Sequence, residues 1–203
     1  TDFAEGDSGS LSLNAVFPNN DRIVAIAAHN GFLIIFGRNN IAVYANPIDV
    51  TQLTLQEFIP NVGCVARDSV QSTGTDLMFL SDAGLRSLAR VIQEKSLPFR
   101  DVSKNVRDEL MAAVASETAD NIKSVYFDRD AFYLLSLPTS KVVYCFDMRS
   151  FLPDGAARVT IWTSLEQSAF LVTQAKELYI GKAGYIGKYY GHTDNGSVYR
   201  LIY

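Results

Sequence analysis

The chain has 203 residues, of which 48% are hydrophobic and 20% are charged, so it is long enough to bury a sizeable core in one domain. Its formal net charge of -4 gives no electrostatic reason to expect tight nucleic-acid binding. The longest apolar runs, such as Ile23–Ala28, are far shorter than the roughly 20 residues that a membrane-spanning helix needs, so no contact with a membrane is predicted.

Residues 1–20 are predicted to form a polar arm that leads into the first sheet, because Thr1–Asn14 is polar and rich in Gly and Ser. The first sheet follows, and its turns contain Asn and Gly, which tolerate the positive φ of tight hairpins. Its predicted strands are Arg22–Ala28, Phe32–Phe36, Ile41–Ala45 and Leu53–Phe58. The last strand alternates apolar and polar residues, which indicates a more exposed position.

Three further groups of strands follow, each joined by short polar turns. The second group is predicted at Cys64–Val70, Leu77–Leu80 and Leu85–Ala89. The third is predicted at Ser124–Phe127, Ala131–Leu137, Val142–Phe146 and Val159–Trp162. The fourth is predicted at Ala169–Thr173, Leu178–Ile180, Tyr185–Tyr190 and Val198–Tyr203. Successive strands with short turns predict antiparallel meanders.

A helical insertion at residues 101–118 interrupts these strands. Within it, Ser103–Glu117 places apolar residues on one helical face, at Val106, Leu110, Ala113 and Val114. The side-chain oxygen of Asp101 or Ser103 is predicted to cap the start of this helix.

A sequence pattern in which a strand follows a polar turn recurs four times. The copies are Gly31–Phe36, Thr75–Leu80, Asp130–Leu135 and Lys176–Gly181, and their starts are separated by 44, 55 and 46 residues. A strand-built period in the forties is typical of β-propeller blades. We therefore predict an all-β fold in one domain spanning residues 1–203: a β-propeller-like array of about four antiparallel blades with one inserted amphipathic helix.

The predicted last strand has an edge that must pair with another strand. Either residues near Thr1 close the array, or further blades complete a larger propeller. We expect the second arrangement, in which this chain is a part of a longer protein.

Several motifs that suggest chemistry have simpler interpretations. Gly181–Lys188 resembles a phosphate-binding loop, but a strand follows it where a helix is needed, so a glycine hairpin is predicted. Asp128-Arg129-Asp130 offers two carboxylates where calcium needs six to eight oxygens, so a hairpin turn is predicted. His29 and His192 have no third ligand at metal-like spacing.

The remaining candidate residues also indicate structural roles. Cys64 and Cys145 lie in apolar strand-like segments and are predicted to be buried, reduced thiols. Trp162 is interpreted as a core or rim aromatic residue. The tyrosines near the end of the chain either form an aromatic binding face or only reflect the preference of aromatic residues for β-strands. They are Tyr179, Tyr185, Tyr189, Tyr190, Tyr199 and Tyr203. No catalytic, cofactor-binding or metal-binding residue is predicted.

Two turns, Ser81–Gly84 and Asp194–Gly196, resemble the turns of Asp-box hairpins in sialidase-type propellers. A sialidase also needs an arginine cluster for the substrate carboxylate and a tyrosine activated by a carboxylate. The arginines are scattered, with no spacing that brings three to one face, at positions 22, 38, 67, 86, 90 and 100. The sequence therefore does not predict an enzyme.

Three stretches resemble the nozzle, or packaged-DNA stabilisation, proteins of short-tailed bacteriophages. They are Asp21–Tyr44, the module from Gly63–Leu88 to Asp101–Ser103, and Gly191–Arg200. The likeness covers most of Asp21–Tyr203, and it consists of strand patterns with glycine turns.

The resemblance implies a virion structural protein located in the phage tail, below the portal and adaptor. It further implies a homo-oligomeric ring, a hexamer, that forms part of the DNA exit channel and contacts the adaptor and tail fibres. Contact with packaged DNA is expected to be transient and non-specific, because each phosphate that a basic lining neutralises adds binding strength. The alternatives are a β-propeller that serves as a protein-interaction module or as a glycan-binding module.

Overall fold

The computed structural model describes residues 13, 15–18, 21–49, 52–94, 101–163, 166–182, 184–190, 193–194 and 197–198. Most of the predicted N-terminal arm and of the predicted last strand Val198–Tyr203 lies outside the described residues. The described residues form four antiparallel sheets of three or four strands each, followed by a two-stranded hairpin. The prediction of a mostly β fold built from antiparallel meanders is confirmed.

The first two sheets occupy the first half of the chain. Sheet 1 contains β1 (Ile23–His29), β2 (Phe32–Gly37), β3 (Ile41–Ala45) and β4 (Thr54–Ile59) in sequential order. Sheet 2 contains β5 (Gln71–Ser72), β6 (Leu77–Ser81) and β7 (Gly84–Ser87).

The last two sheets occupy the second half of the chain. Sheet 3 contains β8 (Lys123–Phe127), β9 (Phe132–Leu137), β10 (Val142–Phe151) and β11 (Ala157–Thr163). Sheet 4 contains β12 (Ala169–Val172), β13 (Leu178–Lys182) and β14 (Tyr185–Lys188), and the short hairpin after it contains β15 (Thr193–Asp194) and β16 (Ser197–Val198).

The prediction of a strand over Cys64–Val70 is wrong. This segment instead turns through a 3-10 helix at Arg67–Ser69, and only Gln71 and Ser72 pair with β6. The physical reason is local hydrogen bonding: the side chains of Cys64 and Ser69 both donate to the carbonyl oxygen of Ala66, at 3.1 and 2.6 Å.

Two α-helices lie between sheets 2 and 3. Helix α2 (Arg107–Ala115) follows a 3-10 turn at Lys104–Val106 and buries Leu110 and Val114, as the amphipathic pattern predicts. Helix α1 (Leu88–Glu94) was not predicted, and the strand predicted at Leu85–Ala89 is wrong after Ser87.

The predicted capping by Ser103 is also wrong. Ser103 Oγ accepts a hydrogen bond from Leu85 N of sheet 2 at 2.9 Å, and the carboxylate of Asp101 binds Arg107 at 2.5 Å. The Ser103 side chain makes no capping hydrogen bond to the backbone at the start of this helical segment.

The four sheets stack face to face in chain order. Alternate residues of each strand face opposite neighbours: Leu77 and Phe79 of β6 pack towards sheet 1, whereas Met78 and Leu80 pack towards sheet 3. In the same way Tyr133 and Leu135 face sheet 2, and Leu134 faces sheet 4. Each junction is therefore a separate apolar layer.

The first strands of successive sheets lie next to one another on one side of the stack. Strand β8 contacts both β5 of sheet 2 and β12 of sheet 4, and β1 contacts the 3-10 turn that leads into β5. The later strands of each sheet follow outwards from this side in sequential order.

Candidate functional site

A cleft of about 150 Å³ lies where sheets 2 and 3 meet α1. Loop and strand residues of sheet 2 form one wall, α1 contributes Arg90, and β8 and β10 form the other wall. The lining residues are Thr73, Thr75, Asp76, Met78, Ser87, Arg90, Tyr126, Met148 and Phe151.

The acidic side chain of this cleft, Asp76, binds the start of α1. One carboxylate oxygen of Asp76 accepts hydrogen bonds from Leu77 N at 2.7 Å and from Ala89 N at 3.0 Å, and the other accepts from Ser87 Oγ. Ser87 Oγ in turn accepts from Arg90 N at 3.2 Å. Asp76 and Ser87 therefore satisfy two backbone N–H groups that a helix start leaves without an intrahelical partner.

The basic side chain of the cleft, Arg90, connects α1 to sheet 3. Arg90 donates from Nη1 to the carbonyl oxygen of Gly155 at 2.6 Å, and its guanidinium lies 4.2 Å from the centre of the Phe151 ring. Gly155 belongs to the turn between β10 and β11, so Arg90 fixes that turn against α1.

The phenol of Tyr126 completes the polar lining. Burial, helped by the charge of Asp128, raises the pKa of Tyr126 above its ordinary value, so the phenol stays protonated near neutral pH. Asp76 accepts from the Ser87 hydroxyl, and the same two side chains also bind the backbone N–H groups of Ala89 and Arg90. Asp76, Ser87 and Arg90 thus connect α1 to neighbouring parts of the chain.

A buried ionic cluster lies nearby and was not predicted. Asp101, which is 4% exposed, accepts a hydrogen bond from Arg107 at 2.5 Å and lies 3.6 Å from Nε of Arg86. No local pattern of residues indicated it, because β7 supplies Arg86 whereas Asp101 and Arg107 flank the 3-10 turn before α2. This cluster joins sheet 2 to the α2 segment.

The glycine-rich motif at Gly181–Lys188 is a hairpin, as predicted. Strands β13 and β14 pair antiparallel across it, and Gly184 takes a φ of 76° at the turn. In Ser81–Gly84 the Ser81 side chain donates to Gly84 O at 2.9 Å and accepts from Ala83 N at 3.2 Å, which stabilises the turn between β6 and β7.

The two carboxylates of Asp128-Arg129-Asp130 do not converge. Asp128 pairs with Lys176, which lowers the pKa of Asp128 below its ordinary value, and Asp130 pairs with Arg129 at 3.1 Å. Among the residues that the structure describes, no three Asp, Glu, His or Cys side chains gather as they would around a metal ion. His29 ends β1, and His192 lies outside the described residues.

The scattered arginines bind separate partners. Arg67 pairs with Asp68, Arg86 lies beside Asp101, and Arg90 binds Gly155. Arg22 and Arg38 are exposed just before β1 and just after β2, and Arg100 lies outside the described residues.

The aromatic residues near the end of the chain divide into two groups. Trp162 stacks on Tyr189 with ring centres 5.8 Å apart, and Phe127 meets Tyr189 edge-on. Tyr185 and Tyr190 are 77% and 80% exposed. Tyr199 and Tyr203 lie outside the described residues.

Both cysteines are free and buried, as predicted. Burial raises the pKa of the Cys64 thiol above its ordinary value and raises the pKa of Cys145 to about 12. Neither thiol has the electropositive, accessible surroundings of a reactive cysteine.

Within the described part of the chain, no helix has both the length and the apolar composition to cross a bilayer. Neither a protein-family model nor a curated protein sequence matches the chain.

Proposed function

We propose that the chain is a structural component of a phage tail, one whose four sheets act as blades of a propeller-like ring rather than as the frame of an active site. The observation that carries this proposal is the side-by-side position of the first strands of successive sheets. In a propeller the innermost strands of the blades surround a common axis in this way.

The cleft between sheets 2 and 3 supports a structural role. Asp76 and Ser87 hold the start of α1, and Arg90 binds a neighbouring turn. Each of these charged or polar groups connects two parts of the stack.

The resemblance to nozzle proteins supports a location for this scaffold in the phage tail. The proposed protein lies in the virion below the portal and adaptor, in a homo-oligomeric ring that contacts the adaptor and tail fibres. The net charge of -4 is compatible with an exit channel that DNA passes through without binding tightly.

Immunogold electron microscopy of purified virions tests this proposal. Antibodies against the chain are applied to intact particles and to particles that have ejected their DNA. The proposal expects gold at the tail in both samples, and mass spectrometry of the virions should recover peptides of this chain. Its absence from purified particles, although it is expressed during infection, would overturn the proposal.

The exposure of Tyr185 and Tyr190 favours a second candidate, a glycan-binding module. Exposed aromatic rings offer apolar area and a hydroxyl group to a polar ligand. Binding on a glycan array that is lost in Tyr185→Ala and Tyr190→Ala, while Tyr179→Phe binds normally, would support this candidate over the structural one.

A further inference from the structure

We propose that the cleft between sheets 2 and 3 binds one pyranose ring, an uncharged sugar ring that bears several hydroxyl groups. The cleft lies within a single chain, so a ligand there does not depend on ring assembly. It is also a different place from the exposed Tyr185 and Tyr190, which carry the glycan-binding candidate above.

The two charged side chains of the cleft favour a ligand without net charge. Asp76 and Arg90 both line the cleft, so their opposite charges offset each other there. An anion in the cleft would lie near the carboxylate and a cation near the guanidinium, and either ion would lose hydration on entering. A neutral ligand avoids both costs.

Two hydroxyl groups of the lining have capacity to bind a ligand. Among the residues that the structure describes, none forms a hydrogen bond with the side chain of Thr75 or with the phenol of Tyr126. Thr75 lies in the turn before β6 and Tyr126 lies on β8, so the two hydroxyl groups come from opposite walls. Each hydroxyl both donates and accepts hydrogen bonds, and a ligand with hydroxyl groups on several edges matches both walls.

The Asp76 carboxylate adds an acceptor that is already fixed in place. Its oxygens accept three hydrogen bonds, from Leu77 N, Ala89 N and Ser87 Oγ. A carboxylate has about four acceptor positions, so one is left for a hydroxyl group of the ligand. Because the three bonds hold the carboxylate before a ligand arrives, binding has less ordering to offset.

The apolar part of the lining and the volume of the cleft limit the ligand to one ring. Met78, Met148 and Phe151 supply apolar surface beside the polar groups. A pyranose ring has the same two characters, since its C–H faces are apolar and its edge carries hydroxyl groups. The cleft has a volume of about 150 Å³, and a cavity of about that size admits one benzene-sized ring.

Saturation-transfer difference NMR with the full 203-residue chain tests the inference. The probes are D-glucose, D-galactose, D-mannose and N-acetyl-D-glucosamine, each at concentrations up to tens of millimolar. We expect at least one of them to bind with a dissociation constant on the order of 1 mM, as suits a ligand of about a dozen non-hydrogen atoms. Benzoate and benzamidine are charged rings of similar size, and they should bind about tenfold more weakly.

Two substitutions test whether the sugar lies in the cleft. Tyr126→Phe and Thr75→Val each remove one hydroxyl group and keep the shape of the side chain, so each should raise the dissociation constant about three- to tenfold. Tyr185→Phe and Thr118→Val are the matched controls, because both positions are exposed and lie outside the cleft, and they should bind like the wild-type chain. Thermal unfolding of each variant checks that it is folded.

Disaccharides distinguish a free sugar from the end of a longer glycan. A disaccharide that carries the bound ring at its non-reducing end is titrated beside the monosaccharide. Equal or tighter binding of the disaccharide indicates that the cleft takes the terminal ring of a glycan, whereas binding of the monosaccharide alone indicates a free sugar. Both results support a pyranose site.

Three results would overturn the inference: no binding of any of the four sugars, stronger binding of benzoate or benzamidine, or unchanged affinity in both Tyr126→Phe and Thr75→Val. Sugar binding that is lost in Tyr190→Ala but unchanged in the two cleft variants would also overturn it, and would favour the glycan-binding candidate. None of these results bears on ring assembly, which sedimentation of the unmodified chain tests separately.

Discussion

Individual side chains connect the sheets of this protein, and Tyr133 shows how. Its ring lies in the layer between sheets 2 and 3, and its hydroxyl donates to Ser69 O at 2.6 Å, across from β9 to the turn before β5. Ser69 Oγ accepts from Leu80 N of β6 at 3.1 Å, so a single turn organises both sheets.

Replacing Tyr133 with Phe tests this connection. The substitution keeps the ring but leaves the buried carbonyl of Ser69 without its donor, so we expect a loss of about 1–3 kcal/mol in the free energy of unfolding, measured with urea. Tyr185→Phe, at an exposed position, should change it by less than about 0.5 kcal/mol. Equal stability of the two variants would show that the Tyr133 bond contributes nothing.

Asp76 offers a second test at the residue scale. Asp76→Ala removes the acceptor for Leu77 N and Ala89 N and the partner of Ser87, so we expect a loss of about 1–3 kcal/mol in the free energy of unfolding. Asp82→Ala, in an exposed turn, serves as the control. If both variants unfold at the wild-type urea concentration, Asp76 does not hold α1.

The buried thiol of Cys145 makes stability depend on alkaline pH. The unfolded chain loses this proton near pH 9, whereas burial keeps it in the folded chain up to about pH 12. The folded state therefore binds more protons in that interval, and stability falls as pH rises from about 9 to about 12. Cys145→Ala should show a shallower fall in its urea midpoint between pH 8 and pH 10.5. Parallel falls in the two proteins would contradict the assignment.

At the scale of elements, the segment Asp101–Ser103 binds the outer strands of sheets 2 and 3 together. Val102 N donates to Leu85 O of β7 at 3.2 Å, and Ala157 N of β11 donates to Val102 O at 2.9 Å. Ser103 Oγ accepts from Leu85 N, and Gly84 makes room for this side chain. An added Cβ at Gly84 would lie 2.2 Å from Ser103 Oγ.

Gly84→Ala tests whether the segment Asp101–Ser103 must lie this close to β7. Gly74→Ala is its matched control, because Gly74 also has a positive φ but has open space around its Cβ position. Both variants strain the backbone, and Gly84→Ala should lose about 1–3 kcal/mol more in free energy of unfolding, since it also overpacks. A loss no greater than that of Gly74→Ala would mean that Ser103 moves aside freely.

The sequence predicted elements well where local signals decided them. Strands β1 to β3 and β9 combine β-branched or aromatic runs with Asn-Gly or polar turns, and the apolar face of α2 has helical spacing. Prediction failed where distant partners decided the outcome. Helix α1 follows β7 without a break and depends on Asp76 for its start, and Ser103 bonds to Leu85 instead of capping α2.

The polar cleft and the ionic cluster also could not be predicted from the sequence. Asp76 and Arg90 meet because β6 and β7 bring the start of α1 beside the segment before β6. Arg86 and Asp101 meet because residues 101–103 lie along β7. Arg67, Arg86 and Arg90 lie beside three different partners, Asp68, Asp101 and Gly155.

At the scale of the whole molecule, four sheets form a stack whose two ends both present apolar residues. Ile26 and Leu171, one at each end of the stack, are 64% and 61% exposed. We propose that this stack is part of a ring that serves as a scaffold.

Sedimentation equilibrium of the unmodified chain at micromolar concentrations tests whether such a ring forms. We expect a single closed species with a mass several times 22.4 kDa, and ring-shaped particles with a central opening in electron micrographs of the same sample. A species of 22.4 kDa that persists at tens of micromolar would contradict it.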